Sequence, residues 1–143
     1  MMNTKRILSN VSMIAILVSL FACDPSSDDF TDISKSEDIL TKNGSWMISW
    51  FWDKDKDETS DFTGYTFNFM ENGELHAMKN GNIVHTGQWS HDSSSSKLII
   101  QMASTKPLEE LTDDWIIKTM NDDKIELKDD NEEHLEELHF VKK

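Results

Sequence analysis

Apolar and polar residues alternate along most of the chain after residue 43, in short segments separated by turn residues. An alternation with a period of two is typical of strands that bury one face. Two Asn-Gly pairs, at Asn72-Gly73 and Asn80-Gly81, join neighbouring segments in the way that tight hairpins do. The pattern therefore predicts eight strands, at residues 46–52, 63–70, 74–79, 83–89, 97–102, 115–120, 124–128 and 134–142.

Hairpin connections make consecutive strands antiparallel neighbours. Eight such strands with one apolar face are enough to close into an up-and-down barrel, which removes exposed strand edges. Residues 107–111 are predicted to form one helical turn on the way. A sheet of five or six strands packed on a helix is the alternative, but no stretch after the N-terminal region shows a sustained helical period. We therefore expect an all-β, eight-stranded antiparallel barrel.

The first two strands carry the largest side chains. Strict alternation places Trp46, Ile48, Trp50 and Trp52 on one face of the first strand, directed into the barrel. Such rings either line a ligand cavity or simply fill a barrel that is barely wide enough for its own side chains. The sequence leaves both possibilities open. The candidate ligand-binding residues are Trp50, Trp52, Tyr65, Phe67 and Phe69.

The N-terminal region has the layout of a secretory signal. Lys5 and Arg6 precede a 15-residue apolar run, which is shorter than the ~20 residues of a membrane-spanning helix. The run ends in Leu20-Phe21-Ala22-Cys23, which resembles the lipobox of bacterial lipoproteins, and that resemblance implies acylation of Cys23. We accordingly predict a signal peptide at 1–22, an acylated cysteine with an acidic tether at 23–42 and a barrel domain at 43–143.

The tether is polar and acidic, with one short helical turn predicted around residues 36–40. Just after the cysteine, Ser27, Asp28, Asp29 and Phe30 resemble the acidic export signal of Bacteroidota lipoproteins. That resemblance implies a lipid-anchored protein on the outer membrane, facing the cell exterior.

Cleavage before Cys23 leaves 121 residues with 12 lysines, no arginine and 27 acidic residues, a net charge of −15. Such a surface repels nucleic acid and anionic lipid headgroups, so the lipid is expected to supply the whole membrane attachment. Because Cys23 is the only cysteine, no disulfide can form within the chain. The core must stabilise this fold by itself.

The strand pattern also resembles a known family. Gly44-Ser45-Trp46 is similar to the Gly-x-Trp opening of lipocalins, and the later segments Thr86-Gly87-Gln88-Trp89 and Leu108-Glu109-Glu110-Leu111 extend the likeness. Across residues 43–142 the chain resembles the small lipocalin-like lipoproteins of Bacteroidota. This resemblance implies a β-barrel and, as in lipocalins, a small apolar ligand.

The residue patterns that indicate catalysis or metal binding are weak. Asp53, Asp55 and Asp57 match the start of a calcium loop, but Glu58 and Gly64 stand where an EF-hand needs glycine and glutamate. The five histidines lack zinc-site spacing, and no Gly-x-Ser-x-Gly elbow is present. The carboxylates are expected in turns and on polar faces. We therefore predict no enzyme, cofactor or metal.

Two functional hypotheses follow from the sequence. The first is a surface lipoprotein whose barrel binds a small hydrophobic ligand. The second is a non-enzymatic interaction module with a fully packed barrel, which binds an envelope protein or a glycan. The volume left inside the barrel distinguishes them.

Overall fold

The computed structural model of the protein describes residues 28–42, 44–102, 104–131, 133 and 135–143, with side chains described from residue 35 onward. The helix and strands of these ranges are α1 (Asp28–Lys42), β1 (Trp46–Asp53), β2 (Lys56–Asp57), β3 (Tyr65–Phe69), β4 (Glu74–Lys79), β5 (Asn82–Asp92), β6 (Lys97–Gln101), β7 (Asp113–Met120), β8 (Lys124–Lys128) and β9 (Glu136–Lys142). Two 3-10 helices lie between strands, at Thr59–Phe62 and Leu108–Leu111.

The strands form one closed antiparallel barrel. Each long strand pairs with the next along the chain, from β1 and β3 through to β9, and β9 pairs back with β1. The two-residue β2 only extends the end of β1. The predicted eight-stranded up-and-down barrel is thus confirmed. The 3-10 helix Leu108–Leu111 occupies the place of the helical turn predicted at residues 107–111.

Side chains fill the interior of the barrel. Aromatic rings meet edge to face along it, with ring centroids 5.6 Å apart for Phe67 and Phe140 and 6.5 Å apart for Phe51 and Trp115. Such contacts give the density of a packed core. The residues that are fully or almost fully buried inside include Trp46, Phe51, Phe67, Phe69, Leu75, Ala77, Leu98, Ile100, Trp115, Ile125, Leu127, Leu138 and Phe140.

Three of the five tryptophans lie in this core, and each has a partner for its indole N–H. Trp46 donates to the Leu40 carbonyl at 3.2 Å, Trp89 to the Met70 carbonyl at 3.0 Å, and Trp115 to the Leu111 carbonyl at 3.0 Å. A buried indole N–H without an acceptor would be costly. These bonds therefore tie α1, the β3–β4 turn and the second 3-10 helix to the barrel.

Helix α1 is longer than the single turn predicted within the tether. It covers Asp28–Lys42, and its last turns place Ile39 and Leu40 in the core, where Leu40 is fully buried. The segment was predicted as a tether because its composition is mostly polar and acidic. Cys23 and Ser27 lie outside the described residues, and Asp28–Phe30 form the start of α1. No helix within the described ranges has the length and apolar character needed to cross a membrane.

Candidate functional site

A β-bulge in β1 decides which of its tryptophans face the outside of the barrel. Ile48 lies opposite Phe140 and Trp50 lies opposite His139, so Ser49 is an extra residue on β1 without a partner on β9. The Ser49 hydroxyl donates to the His139 carbonyl at 3.3 Å. Because side chains alternate with a period of two, one inserted residue exchanges the inner and outer faces of the strand.

The bulge makes the predicted orientation of Trp50 and Trp52 wrong. After Ser49 the inward position falls on Phe51, which is 1% exposed, while Trp50 and Trp52 are half-buried on the outer wall. The prediction holds only for Trp46, which is fully buried, and for Ile48, which packs against the core.

The other candidate ligand-binding residues lie elsewhere. Phe67 and Phe69 are buried, and Phe69 contacts Trp89 with ring centroids 5.6 Å apart. Tyr65 stacks on Phe67 and carries Lys79 Nζ 4.4 Å from its ring centre. These three side chains share the inward face, as predicted, but they belong to the packed core. The structure does not bring them together with Trp50 and Trp52.

The outer rings of β1 form one wall of a groove. The Trp50 and Trp52 rings are parallel within 7° with centroids 5.8 Å apart, and the Trp52 indole donates to the Lys54 carbonyl at 3.1 Å. Asp129, Asn131 and Leu135, which follow β8, also line this groove, and Leu135 is 66% exposed. The groove, called the Trp groove below, has a volume of ≈ 330 Å³ and is lined by Trp50, Trp52, Lys128, Asp129, Asn131, Leu135, Glu136 and Glu137.

Beside this groove, carboxylates close one end of the barrel. Four acidic residues here each lie two positions along the chain from a buried, inward-facing residue. Asp53 and Asp129 follow Phe51 and Leu127, and Asp113 and Glu136 precede Trp115 and Leu138. Asp53 is opposite Glu136 in the β1–β9 register, and the Asp129 N–H donates to the Glu136 carbonyl at 3.0 Å. We call these four residues the carboxylate cluster.

The carboxylate cluster crowds negative charge at a partly buried position. Carboxylate oxygens of Asp113, Asp129 and Glu136 lie within 4.8 Å of one another. Burial, reinforced by the charges of Asp53 and Asp129 and opposed by Lys54, raises the pKa of Glu136 to about 7. Burial also raises the pKa of Asp113. These acids are therefore an exception to the expected placement in turns and on polar faces.

The carboxylate cluster predicts an unusual dependence of stability on pH. Because the pKa of Glu136 is higher in the folded than in the unfolded chain, the folded state holds more protons between about pH 4.5 and 7. Stability should therefore fall as pH rises through that window, by about 1 kcal/mol once solvent screening is allowed for. Urea unfolding at pH 5, 6, 7 and 8 measures this directly. Glu136→Gln should reduce the fall, and the neighbouring Glu137→Gln should retain it in full. Identical profiles for wild type and Glu136→Gln would contradict the raised pKa of Glu136.

Within the described residues, three members of the carboxylate cluster, Asp113, Asp129 and Glu136, are the group that could hold a metal ion. Carboxylate oxygens are the ligands that calcium prefers. Of the Asp-x-Asp-x-Asp run, only Asp53 belongs to the cluster: Asp55 is exposed, and Asp57 accepts the Thr59 N–H at 2.9 Å. The three aspartates that resembled the start of a calcium loop therefore do not lie together at one site.

The histidines are similarly dispersed where the structure describes them. His76 Nε2 lies 3.0 Å from Glu74 Oε2, and His139 Nε2 lies 3.9 Å from Glu137 Oε2. His85 pairs with Ala77 rather than lying opposite His76. His134 lies outside the described residues.

The fold and the two surface features define a small, filled antiparallel β-barrel with an acidic, aromatic groove on its wall. No protein-family model matches the chain. No characterised protein matches it in sequence either. Among solved structures, it is similar to a DUF4847 family protein from Bacteroides vulgatus ATCC 8482, with 12% identity and a TM-score of 0.51 over 73% of this chain and 95% of the other. At that identity the likeness concerns the fold alone.

Proposed function

We propose that this protein is a non-enzymatic lipoprotein of the outer membrane, exposed to the cell exterior, that binds a small hydrophobic ligand in the Trp groove. The observation that carries the binding proposal is the pair of parallel, half-buried rings of Trp50 and Trp52 on the outer wall. Two half-buried rings beside an exposed leucine leave apolar surface that a ligand would cover.

The filled interior of the barrel leaves the outer wall as the place where a ligand could bind. Lipocalin-type binding uses the inside of the barrel, but here rings and aliphatic side chains occupy that space. Other depressions near Trp89 measure ≈ 320 and ≈ 400 Å³ and are lined mainly by polar residues such as Asn72, Gln88 and Ser90. The Trp groove is more apolar than these two, which is the property expected of a hydrophobic ligand site.

Titration with Nile red, a neutral apolar dye, tests the groove. We expect a saturable rise in dye emission with the wild type, and affinity about tenfold weaker for Trp50→Ala or Trp52→Ala, because each ring supplies ~1.5 kcal/mol of contact. Ile83→Ala is the matched control, since it removes a 54% exposed side chain from β5, outside the groove. Equal weakening by Ile83→Ala, or wild-type affinity in both tryptophan variants, would contradict the proposal.

The anchor is supported by the lipobox-like end of the signal sequence at Cys23. Cys23→Ser should move the protein from the membrane fraction to the soluble fraction, because acylation supplies the attachment. In whole cells, Asp28→Ala with Asp29→Ala should leave lipidation intact but protect the protein from added protease. Membrane retention of Cys23→Ser would contradict the anchor, and unchanged protease access would contradict export.

The second candidate function is an interaction module that binds an envelope protein or a glycan through the same outer wall. The filled barrel favours it over a lipocalin-type carrier. It differs from the first candidate in the size of its ligand. Saturable binding of a dye-sized molecule in the Trp groove supports the first candidate, and its absence supports the second.

A further inference from the structure

The charges that line the Trp groove do not balance. Asp129, Glu136 and Glu137 contribute carboxylates, and Lys128 contributes the one cation of the lining. Lys128 lies opposite Glu137 in the β8–β9 register. When these four side chains are all ionised, the lining carries two more negative than positive charges.

The residues behind the groove increase this excess. Asp53 and Asp113 belong to the same carboxylate cluster as Asp129 and Glu136. Lys54 Nζ lies 3.6 Å from Asp53 Oδ1. That distance is too long for a hydrogen bond. Burial and the negative charges of Asp53 and Asp129 raise the pKa of Glu136. A positive charge entering the groove would therefore be stabilised by several carboxylates together.

The aromatic wall lies next to this charge. Trp52 is directly opposite Glu137 in the β1–β9 register, so an aromatic ring and a carboxylate are neighbours on the outer wall. Aromatic rings attract cations electrostatically, and tryptophan attracts them most strongly. Resting on the proposed function of the groove, we infer that its ligand is a small organic cation, an amine or quaternary ammonium ion with an aromatic or aliphatic body.

Other ligand classes would match either the aromatic rings or the carboxylates of the Trp groove, but not both. A bare metal ion would neutralise the carboxylate cluster but leave Trp50, Trp52 and Leu135 uncovered. A neutral sugar would cover the rings but leave the excess carboxylates without a counter-charge. An organic cation meets both demands in a groove of ≈ 330 Å³, a volume suited to a small molecule.

Three soluble probes that share a phenyl ring and differ in charge test the inference. Calorimetric titration at pH 8 compares 2-phenylethylamine, 2-phenylethanol and phenylacetate, with cellobiose as a neutral sugar and calcium chloride as a metal. We expect the amine to bind about tenfold more tightly than the alcohol, and phenylacetate to bind more weakly than either.

Paired variants separate the charge from the groove. Asp129→Asn with Glu137→Gln should reduce the amine's affinity about tenfold and leave the alcohol's unchanged, because both replacements keep the side-chain shape. Asparagine at position 129 can also retain the bond that Asp129 Oδ1 accepts from the Asn131 N–H at 3.1 Å. Glu71→Gln, an exposed acid outside the groove lining, is the control and should leave the preference for the amine intact.

The possible outcomes are distinct. Equal affinity for amine and alcohol, abolished by Trp50→Ala, would overturn the cation inference while the groove proposal stands. Amine binding that Trp50→Ala leaves unchanged would show unspecific attraction to an acidic surface and overturn it too. Binding of calcium or cellobiose without any amine preference would assign the site to a metal ion or a glycan. No saturable binding of any phenyl probe would contradict both proposals.

Discussion

Trp46→Ala should destabilise the fold by about 3–5 kcal/mol in urea unfolding. Trp46 is fully buried, and its indole N–H donates to the Leu40 carbonyl at 3.2 Å. Lys142 Nζ lies 4.9 Å from the centre of its ring. Removing the ring leaves a cavity and deprives the Leu40 carbonyl of its hydrogen-bond donor, so two costs add.

Two other substitutions calibrate this result. Trp46→Phe keeps most of the apolar volume and loses the hydrogen bond, so it should cost clearly less than Trp46→Ala. Trp50→Ala removes a half-buried ring on the outer wall and should cost about 1 kcal/mol or less. If Trp50→Ala proved as costly as Trp46→Ala, the assignment of Trp50 to the outer face would be wrong.

Gly87→Ala should cost about 1–3 kcal/mol, because the added methyl group has no room. A Cβ at this position would lie 2.3 Å from the Gln101 carbonyl oxygen and 2.5 Å from Met102 Sδ. Methionine can move aside, but the backbone at the end of β6 must shift. In calorimetric unfolding, Gly87→Ala should lower the melting temperature by several degrees.

Ser90→Ala is the matched control for Gly87→Ala, since Ser90 is exposed on the same strand. It should change stability by less than about 0.5 kcal/mol. Hydrogen exchange should be faster at the β5–β6 pairing in Gly87→Ala than in the wild type. An unaltered free energy of unfolding in Gly87→Ala would contradict the close approach of the two strands.

The barrel was predictable because strand period and turn chemistry agree along the chain. The bounds of β4 and β8 match the predicted residues 74–79 and 124–128, where Asn-Gly or Asn-Asp-Asp turns mark a strand end. The orientation of Trp50 and Trp52 was not predictable from alternation. Residues 46–52 are apolar except for Ser49, so either face of the strand could be buried, and only pairing with β9 exposes the bulge.

The carboxylate cluster left a weak signal in the sequence. Asp113, Asp129 and Glu136 each lie two residues from an apolar residue of a predicted strand, which places them on its inward face. Their polarity instead favoured an interpretation as turn residues. The position of Asp53 depends on the bulge, and the convergence of the four acids depends on barrel closure. Neither can be deduced from one strand at a time.

Whether the barrel interior is filled or hollow also could not be predicted from the sequence. The sequence showed many large rings in a small domain, which suits a filled core as well as a ligand cavity. Edge-to-face contacts such as that of Phe69 with Phe140, at 5.8 Å between centroids, show that the rings pack on each other. We therefore propose a ligand site on the outer wall, and the tryptophans themselves can report whether a ligand binds there.

The most direct test follows the five indole N–H signals in ¹H–¹⁵N correlation spectra, assigned with Trp→Phe variants, during titration with 2-phenylethylamine and 2-phenylethanol. Trp46, Trp89 and Trp115 lie in the core, whereas Trp50 and Trp52 line the groove. We expect saturable shifts of the Trp50 and Trp52 signals and constant positions for the other three. Shifts confined to Trp46 and Trp115, with Trp50 and Trp52 unchanged, would place the ligand inside the barrel and contradict the proposed site.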